Sequence, residues 1–342
     1  MLEEYMKSQY IVFPEQGVVK VETEEVPEGD LTPMEVLIRN EVTYVSAGTE
    51  LARLAGLEQG MGFPVRPGYA AIGRIVAKGP AVDDFEIGQR VFYSGKHCSA
   101  QRYEHGQDHQ WGRIYPVPDE LSSEDAAYGC LAQIAMTAPL LTGCELGDTV
   151  AVFGLGVIGN FCAQWYRHMG ARVIALDPVA QRCELARKVG LGTVLDVPPD
   201  KQVEAVRDLT DGKGAEITVD AAGHSAVVAN CVEATALFGQ IVMLGSPRAA
   251  YECNMTKTLR RIHQNGQVLR GAHMWHFPAF DVREVKHTVA NNYRTVFSMI
   301  ADGALKVKPL QSHVARPQDA AGVYDGLQNR REEYWGVVFR WE

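Results

Sequence analysis

The stretch from Thr149 to Asp177 constrains this chain more than any other. A short apolar run, Val150-Ala151-Val152-Phe153, enters a glycine cluster at Gly154, Gly156 and Gly159. A segment of helical character follows, and a second run, Arg172-Val173-Ile174-Ala175-Leu176, closes on Asp177. This order predicts a strand, a G-x-G-x-x-G turn, a helix and a second strand ending in an acid. Each glycine has its own duty: the first permits the tight bend, the second lets backbone approach a pyrophosphate, the third lets helix and strand close up. The phosphate then meets free N–H groups at the helix N-terminus, where the helix dipole favours an anion. Asp177 can accept hydrogen bonds from a ribose diol and would repel a 2′-phosphate. The turn therefore points to NAD rather than NADP. Arg172 and Arg182 weigh the other way, since a basic residue can accommodate that phosphate.

Composition narrows what surrounds this turn. A chain of 342 residues is long enough for two domains with sizeable cores. Hydrophobic residues make up 46% and charged residues 22%, which is ordinary for a soluble globular protein. The net charge of −9 argues against a nucleic-acid surface, and no basic run exceeds Arg260-Arg261 or Arg330-Arg331. No apolar run approaches the roughly 20 residues a membrane helix needs. The opening MLEEYMKSQY is acidic and polar, unlike a signal peptide, and Met6 is an alternative start. The seven cysteines are scattered, with no C-x-x-C pair. That is a reduced, cytoplasmic pattern rather than a disulfide framework.

Periodicity divides the chain into regions. Residues up to about 120 read as mostly β, with runs such as Glu35–Arg39 and Ala70–Val76 split by Gly and Pro turns. From 123 to 271, helical and strand segments alternate; Ile217–Asp220 and Gln240–Gly245 are buried-strand candidates. Such alternation predicts an α/β fold with a doubly wound parallel sheet. Beyond 272 the pattern predicts helices over Glu284–Asp302 and Ala320–Gln328, then a strand over Gly336–Trp341. That strand is expected to return to the N-terminal β region, because alone it would expose an unpaired edge.

This layout resembles the medium-chain dehydrogenase/reductase superfamily along essentially the whole chain. The resemblance is carried by Gly88-Gln89-Arg90-Val91, Val152–Gly159 with Asp177, Gly190-Leu191-Gly192, Asp220-Ala221-Ala222-Gly223, Gly239-Gln240-Ile241-Val242 and Arg270-Gly271. It implies a GroES-like β domain built from residues 1–122 and 273–342, and a Rossmann domain over 123–272. It also implies a nicotinamide site formed by Gly154, Leu155, Gly156, Val157, Ile158, Gly159, Asp177 and Arg182, with Ala222, Gly245 and Arg270. The G-L-G-V-I-G turn with Asp177 looks like the alcohol and polyol branch. Quinone and enoyl reductases of the superfamily usually carry a G-G-V-G type turn. Ser46-Ala47-Gly48-Thr49-Glu50, with Phe63-Pro64 and Pro67-Gly68-Tyr69, looks like a smaller branch that includes bacteriochlorophyllide dehydrogenases.

Zinc-binding members of the superfamily place a cysteine before a Thr/Ser-Asp pair and a G-H-E motif further on. Here Ala47 stands at the cysteine, Tyr69 at the histidine and Ala70 at the glutamate, with Gly129 or Cys130 near the third ligand. A catalytic zinc needs three protein ligands, so none is expected. The four-cysteine loop for structural zinc is also missing. His97, Cys98, His105 and His109 carry metal-type side chains, but their spacing fits no usual zinc pattern. They read instead as a polar loop with incidental histidines.

Without a metal, a side chain must take the alcohol proton or polarise the carbonyl. The resemblance assigns Thr49 to the threonine that bonds the substrate hydroxyl and passes its proton on. Tyr69 either reaches the reacting oxygen or fills the vacated metal pocket. His97 is a general-base candidate by its ordinary pKa, against a merely solvated role. Glu50 orients His97 or binds a substrate hydroxyl; Lys96 and Tyr44 are weaker candidates. Tyr44, His273, Trp275 and His276 are assigned to the substrate, the last three against a plain loop with buried aromatics. His224 is either close to the cofactor or a helix cap.

Together these residues imply an NAD(H)-dependent, zinc-independent interconversion of a secondary alcohol and its ketone. The alcohol would be a polyol, sugar, cyclitol or larger metabolite. A zinc-free enoyl or quinone reductase, or a non-catalytic cofactor-binding protein, are the alternatives. The resemblance further implies a homodimer or homotetramer, with Gln240–Gly245 as the candidate pairing strand.

Overall fold

The computed structural model describes residues 5–58, 60–106 and 113–341. His109 lies outside the described residues. The first part of the chain forms β1 (Tyr5–Val12), β2 (Lys20–Pro27), β3 (Glu35–Tyr44), α1 (Ala47–Leu54), β4 (Ala71–Lys78), β5 (Arg90–Tyr93), β6 (Ala100–Glu104) and β7 (Ile114–Pro116). Helices α2 (Ser123–Ala127) and α3 (Gly129–Thr142) follow. The central part alternates β8 (Thr149–Phe153), α4 (Val157–His168), β9 (Arg172–Asp177), α5 (Ala180–Lys188), β10 (Thr193–Asp196), α6 (Gln202–Asp208) and β11 (Ala215–Asp220). It continues with α7 (Ser225–Ala234), β12 (Thr235–Met243), α8 (Met255–Asn265) and β13 (Val268–Gly271). The chain ends with α9 (Val289–Ala301), β14 (His313–Ala315), α10 (Ala320–Asn329) and β15 (Val337–Arg340).

Two compact units result, divided at Cys130/Leu131 and His276/Phe277 rather than at 122/123 and 272/273. The first division falls inside α3, so the change of composition precedes the change of packing. In the central unit the strands lie in the order β10-β9-β8-β11-β12-β13, all parallel. That is the doubly wound order, and it reverses between β8 and β11. Ligands of such sheets bind outside the carboxyl ends of the strands at the reversal, which is where Gly154 leaves β8. Residues Val150–Phe153 are buried along their length, as befits a strand covered on both faces. Gln240–Met243 is not an edge strand: it lies between β11 and β13, and β13 forms the edge.

The β unit is a sheet in the order β14-β15-β3-β4-β5-β7, with β6 also paired to β3. β15 runs antiparallel to β3 and sets Phe339 opposite Thr43. Its inward residues Val337 and Phe339 join Ile11, Phe13 and Val45 in one buried cluster. The helix expected from Glu284 begins at Val289 instead. Glu284 has a left-handed φ of 72°, and the Thr288 hydroxyl accepts the Asn291 N–H as an N-cap. No helix among the described residues is long and apolar enough to cross a membrane.

Phe339 is fully buried. Phe339→Ala should cost about 3–5 kcal/mol of unfolding free energy in urea titration. A loss below about 1 kcal/mol would mean that β15 is not part of the core.

Candidate active site

The dinucleotide turn is held by sterics. Gly154 has a φ of 97°, and a Cβ there would stand 2.9 Å from the Ala222 nitrogen. A Cβ on Gly159 would stand 1.8 Å from the Gly154 carbonyl oxygen. At Gly156 a Cβ would meet nothing within 4 Å. Space is thus open in front of the one glycine expected to face a pyrophosphate. Gly156 also caps α4 without a side-chain hydrogen bond, leaving first-turn N–H groups to an anion. These features fit a dinucleotide. Gly245 lies close to the same end of the sheet: its Cβ would be 2.3 Å from the Gly223 nitrogen. Leu155 and Val157 are buried and Ile158 is half-buried.

Asp177 is buried and already committed in part. Its carboxylate accepts the Leu155 N–H at 2.7 Å and the Val179 N–H at 2.9 Å, and Arg182 approaches at 3.4 Å. A carboxylate offers about four acceptor positions, so one remains for a hydroxyl. Asp177 therefore organises the turn itself. Arg182 sits against Asp177 and tempers its repulsion of a 2′-phosphate. Arg270 lies exposed on edge strand β13 and bonds Gln240.

In the β unit, helix α1 opens at Ser46, whose hydroxyl does not cap it. That hydroxyl instead forms a short hydrogen bond with the Tyr69 phenol. Thr49, in the first turn of α1, also bonds Tyr69. Burial, with Cys130 adding to it, pushes the Tyr69 phenol well above its ordinary value, against the opposite pull of Ser46 and Thr49. The phenol is therefore a protonated donor within a three-hydroxyl cluster.

Glu50 turns to the other side of α1 and is fully buried. One carboxylate oxygen accepts the Ser46 N–H at 2.8 Å. The other meets His97 Nε2 at 2.9 Å and the Tyr324 hydroxyl. Burial alone would raise this carboxyl, but His97, Tyr324 and the Ser46 N–H outweigh it and hold it below its ordinary value. His97 Nδ1 lies 2.7 Å from Thr43 Oγ1, which accepts the Trp341 indole N–H at 2.9 Å. Since an ionised carboxylate only accepts, Nε2 carries a proton toward Glu50.

Several expectations change here. His97 is no solvated loop histidine and no substrate base: it is fully buried with both nitrogens engaged. Glu50 likewise meets no solvent, so it positions rather than binds a substrate hydroxyl. Tyr44 is buried edge-on to Tyr128 at 4.7 Å, not exposed at a binding surface. His105 is also buried, beside Phe85 and 3.3 Å from Asp84. The expected polar loop of histidines is thus largely interior. His273, Trp275 and His276 are exposed, with His273 and Trp275 edge to face at 4.6 Å. They are not buried aromatics. His224 caps α7 by accepting the Ala226 N–H.

Sequence reasoning missed Ser46, Thr43, Tyr324 and Trp341. Only Ser46, as the residue ahead of a helix, had a local signal. The positions that bind zinc in relatives hold a donor set that does not suit that metal. Ala47 offers no donor and the Tyr69 phenol is protonated. Burial pushes the Cys130 thiol up to about 12, against the pull of Tyr293. Among the described residues, no three or more His, Cys, Asp or Glu side chains are placed to hold a metal.

Two family models match the chain: an alcohol dehydrogenase GroES-like domain over residues 32–197, and a zinc-binding dehydrogenase over 157–286. A 2-haloacrylate reductase from Burkholderia is 29% identical over 58% of this chain and 62% of its own length. Sorbitol dehydrogenase from Bacillus subtilis is 25% identical over 67% of this chain and 72% of its own. Among solved structures, a putative zinc-binding dehydrogenase from Sinorhizobium meliloti bound to NADP is similar. It has a TM-score of 0.79 at 19% identity, covering 98% of this chain and 99% of that one. The chain therefore spans less than two thirds of the reductase.

Glu50→Ala strands His97 and Tyr324 without their acceptor and should cost about 3–5 kcal/mol of stability. The carboxyl is depressed in the fold, so its contribution is complete above the unfolded value, about pH 4.3. It is lost as pH falls through the lower folded value. The stability gap between the natural chain and the variant, read by denaturant titration, should be constant above about pH 5 and shrink below about pH 4. A gap unchanged at pH 3 would show that the fold does not hold the Glu50 carboxyl below its ordinary value.

Proposed function

Because the chain belongs to the medium-chain dehydrogenase/reductase superfamily, we propose that it is an NAD(H)-dependent oxidoreductase interconverting a secondary alcohol and its ketone without a catalytic zinc. The observation that carries this reading is the hydroxyl cluster of Tyr69, Ser46 and Thr49 where relatives hold their metal. Bound NAD supplies the hydride chemistry. The chain's own residues must then manage the proton on the reacting oxygen. In the ketone-reducing direction Tyr69 gives its proton to that oxygen, and the Ser46 and Thr49 hydroxyls that bond the phenol relay a replacement proton to it from solvent; oxidation runs the same transfers in reverse. A phenol with a raised pKa keeps its proton, so it suits the ketone-reducing direction best. Glu50 and His97 act at one remove: they fix the start of α1, and so the place of Ser46 and Thr49.

The choice of NAD rests on Asp177, softened by Arg182 beside it. A cytoplasmic setting agrees with seven free cysteines. A homodimer would form along β13, whose Val268 and Leu269 are 43% and 42% exposed on the sheet edge.

The resemblance to a 2-haloacrylate reductase favours a second reading, reduction of an activated C=C bond, in which the same phenol would polarise a carbonyl. A turnover screen with chelator present separates the two. It would offer polyols, cyclitols and bulky secondary alcohols with NAD, and enones and quinones with NADH and NADPH. Chelator-resistant alcohol oxidation supports the first reading, and reduction of enones alone supports the second. Loss of activity with chelator, restored by zinc, would overturn the metal-free mechanism.

Tyr69→Phe should lower kcat about 100-fold or more while leaving NADH affinity unchanged. Full activity would remove the phenol from the chemistry. Asp177→Ala should weaken NADH binding and narrow its advantage over NADPH; an unchanged ratio would take Asp177 out of the ribose site.

A further inference from the structure

Arg53 and Lys96 take no part in the chemistry above, yet both stand beside it. Arg53 follows Thr49 by one turn of α1. Residues so spaced share a helix face, with Cβ atoms about 5–6 Å apart. Lys96 comes from the opposite side. A Cβ on Gly68 would stand 2.6 Å from the His97 nitrogen and 3.1 Å from Lys96 Cα. The backbone that carries Lys96 thus lies directly against the residue preceding Tyr69. Arg53 is thus one helical turn from Thr49, and the Lys96 backbone lies against that of Gly68.

Their charges oppose one another and are only partly compensated. Arg53 Nε bonds Glu58 at 2.6 Å, which engages one of its five N–H groups. The ammonium of Lys96 has no hydrogen-bond or ion-pair partner among the described residues, although its backbone N–H bonds Gln101. Lys96 is exposed, but crowding by its neighbours and then the Arg53 guanidinium lower its pKa, against the opposite pull of the Glu50 carboxylate. Two adjacent cations disfavour each other's charge unless an anion is shared between them.

We propose that Arg53 and Lys96 form a subsite for an oxyanion, a carboxylate or phosphate, carried by the substrate on the far side of its reacting hydroxyl. The proposal rests on the reading that Thr49 and Tyr69 meet that hydroxyl. It narrows the substrates to hydroxy acids or phosphorylated polyols. The planar Arg53 fork takes two oxygens and Lys96 supplies a point charge, so both anion types can be held.

Binding is measured first, without turnover. The full chain, saturated with NADH so that the dinucleotide turn is filled, is titrated calorimetrically with inorganic phosphate and, separately, with acetate. Arg53→Gln, Lys96→Gln and the double variant are compared with the natural chain after their melting temperatures confirm folding. Each single change should weaken the preferred anion about 10- to 100-fold, as loss of a charge-assisted hydrogen bond does. Lys96→Arg should restore most of it. Preference for phosphate over acetate identifies a phosphate ester, and the reverse a hydroxy acid. Equal binding by the natural chain and the double variant, or no binding of either anion, overturns the subsite.

Turnover then separates this proposal from the reading beneath it. For glycerol against glycerol phosphate, and 2-butanol against 3-hydroxybutyrate, KM of the anionic member alone should rise about 10- to 100-fold in the variants. Anionic members oxidised with the same KM by the natural chain and the double variant would sink the subsite and leave the dehydrogenase reading standing. Anion binding that depends on both cations, with no alcohol oxidised, would do the opposite.

Discussion

The β unit depends on one enclosed carboxylate. Glu50 has no contact with water and joins Ser46, four residues before it, to His97 and Tyr324 from two distant parts of the chain. A charge so placed is tolerated only because every bond it lacks from solvent is replaced. Its geometry fixes where α1 begins, and with it the face that presents Thr49 and Arg53. The chain of bonds continues through His97 and Thr43 to Trp341, so the last strand is tied to the same point. Ser46 and Thr49 owe their places to groups that never meet a ligand.

The two units reach precision by different means. In the Rossmann unit the turn is shaped by exclusion: atoms that a side chain would add have no room at Gly154 or Gly159. In the β unit it is shaped by satisfaction, the buried Glu50 carboxylate finding a partner for each of its oxygens. This difference explains what could be read from sequence. The glycine turn, the alternation around it and the acid at Asp177 are local patterns, and the structure places them together at the reversal of strand order. Glu50 and Tyr69 were legible as positions, and the pairing of Glu50 with His97 as one of two options.

Other features were not legible, for physical reasons. His97 lies between Lys96 and Cys98, with Ser99 beyond, a polar setting that suggests solvent. Part of what buries it is Phe339 of β15, far along the chain. Tyr324 and Trp341 carry no local mark of their role, because hydrogen bonds over such separations leave no periodicity. The edge of the parallel sheet was misplaced because interior parallel strands are the most apolar. The true edge, Val268-Leu269-Arg270-Gly271, is shorter and half polar, as edges commonly are.

The bond between Glu50 and Tyr324 joins residues 274 apart. On a ribosome adding about 5–20 residues per second, the two partners emerge on the order of tens of seconds apart. The Rossmann unit is continuous in sequence and can close during that interval. The β unit cannot. Until α10 and β15 appear, α1 has a carboxylate with nowhere dry to go, and β3 presents an open edge to whatever is nearby. The nascent chain therefore passes through a stage in which its cofactor unit is finished and its chemical unit is an unsealed, adhesive sheet, the stage at which a chaperone would find most to hold.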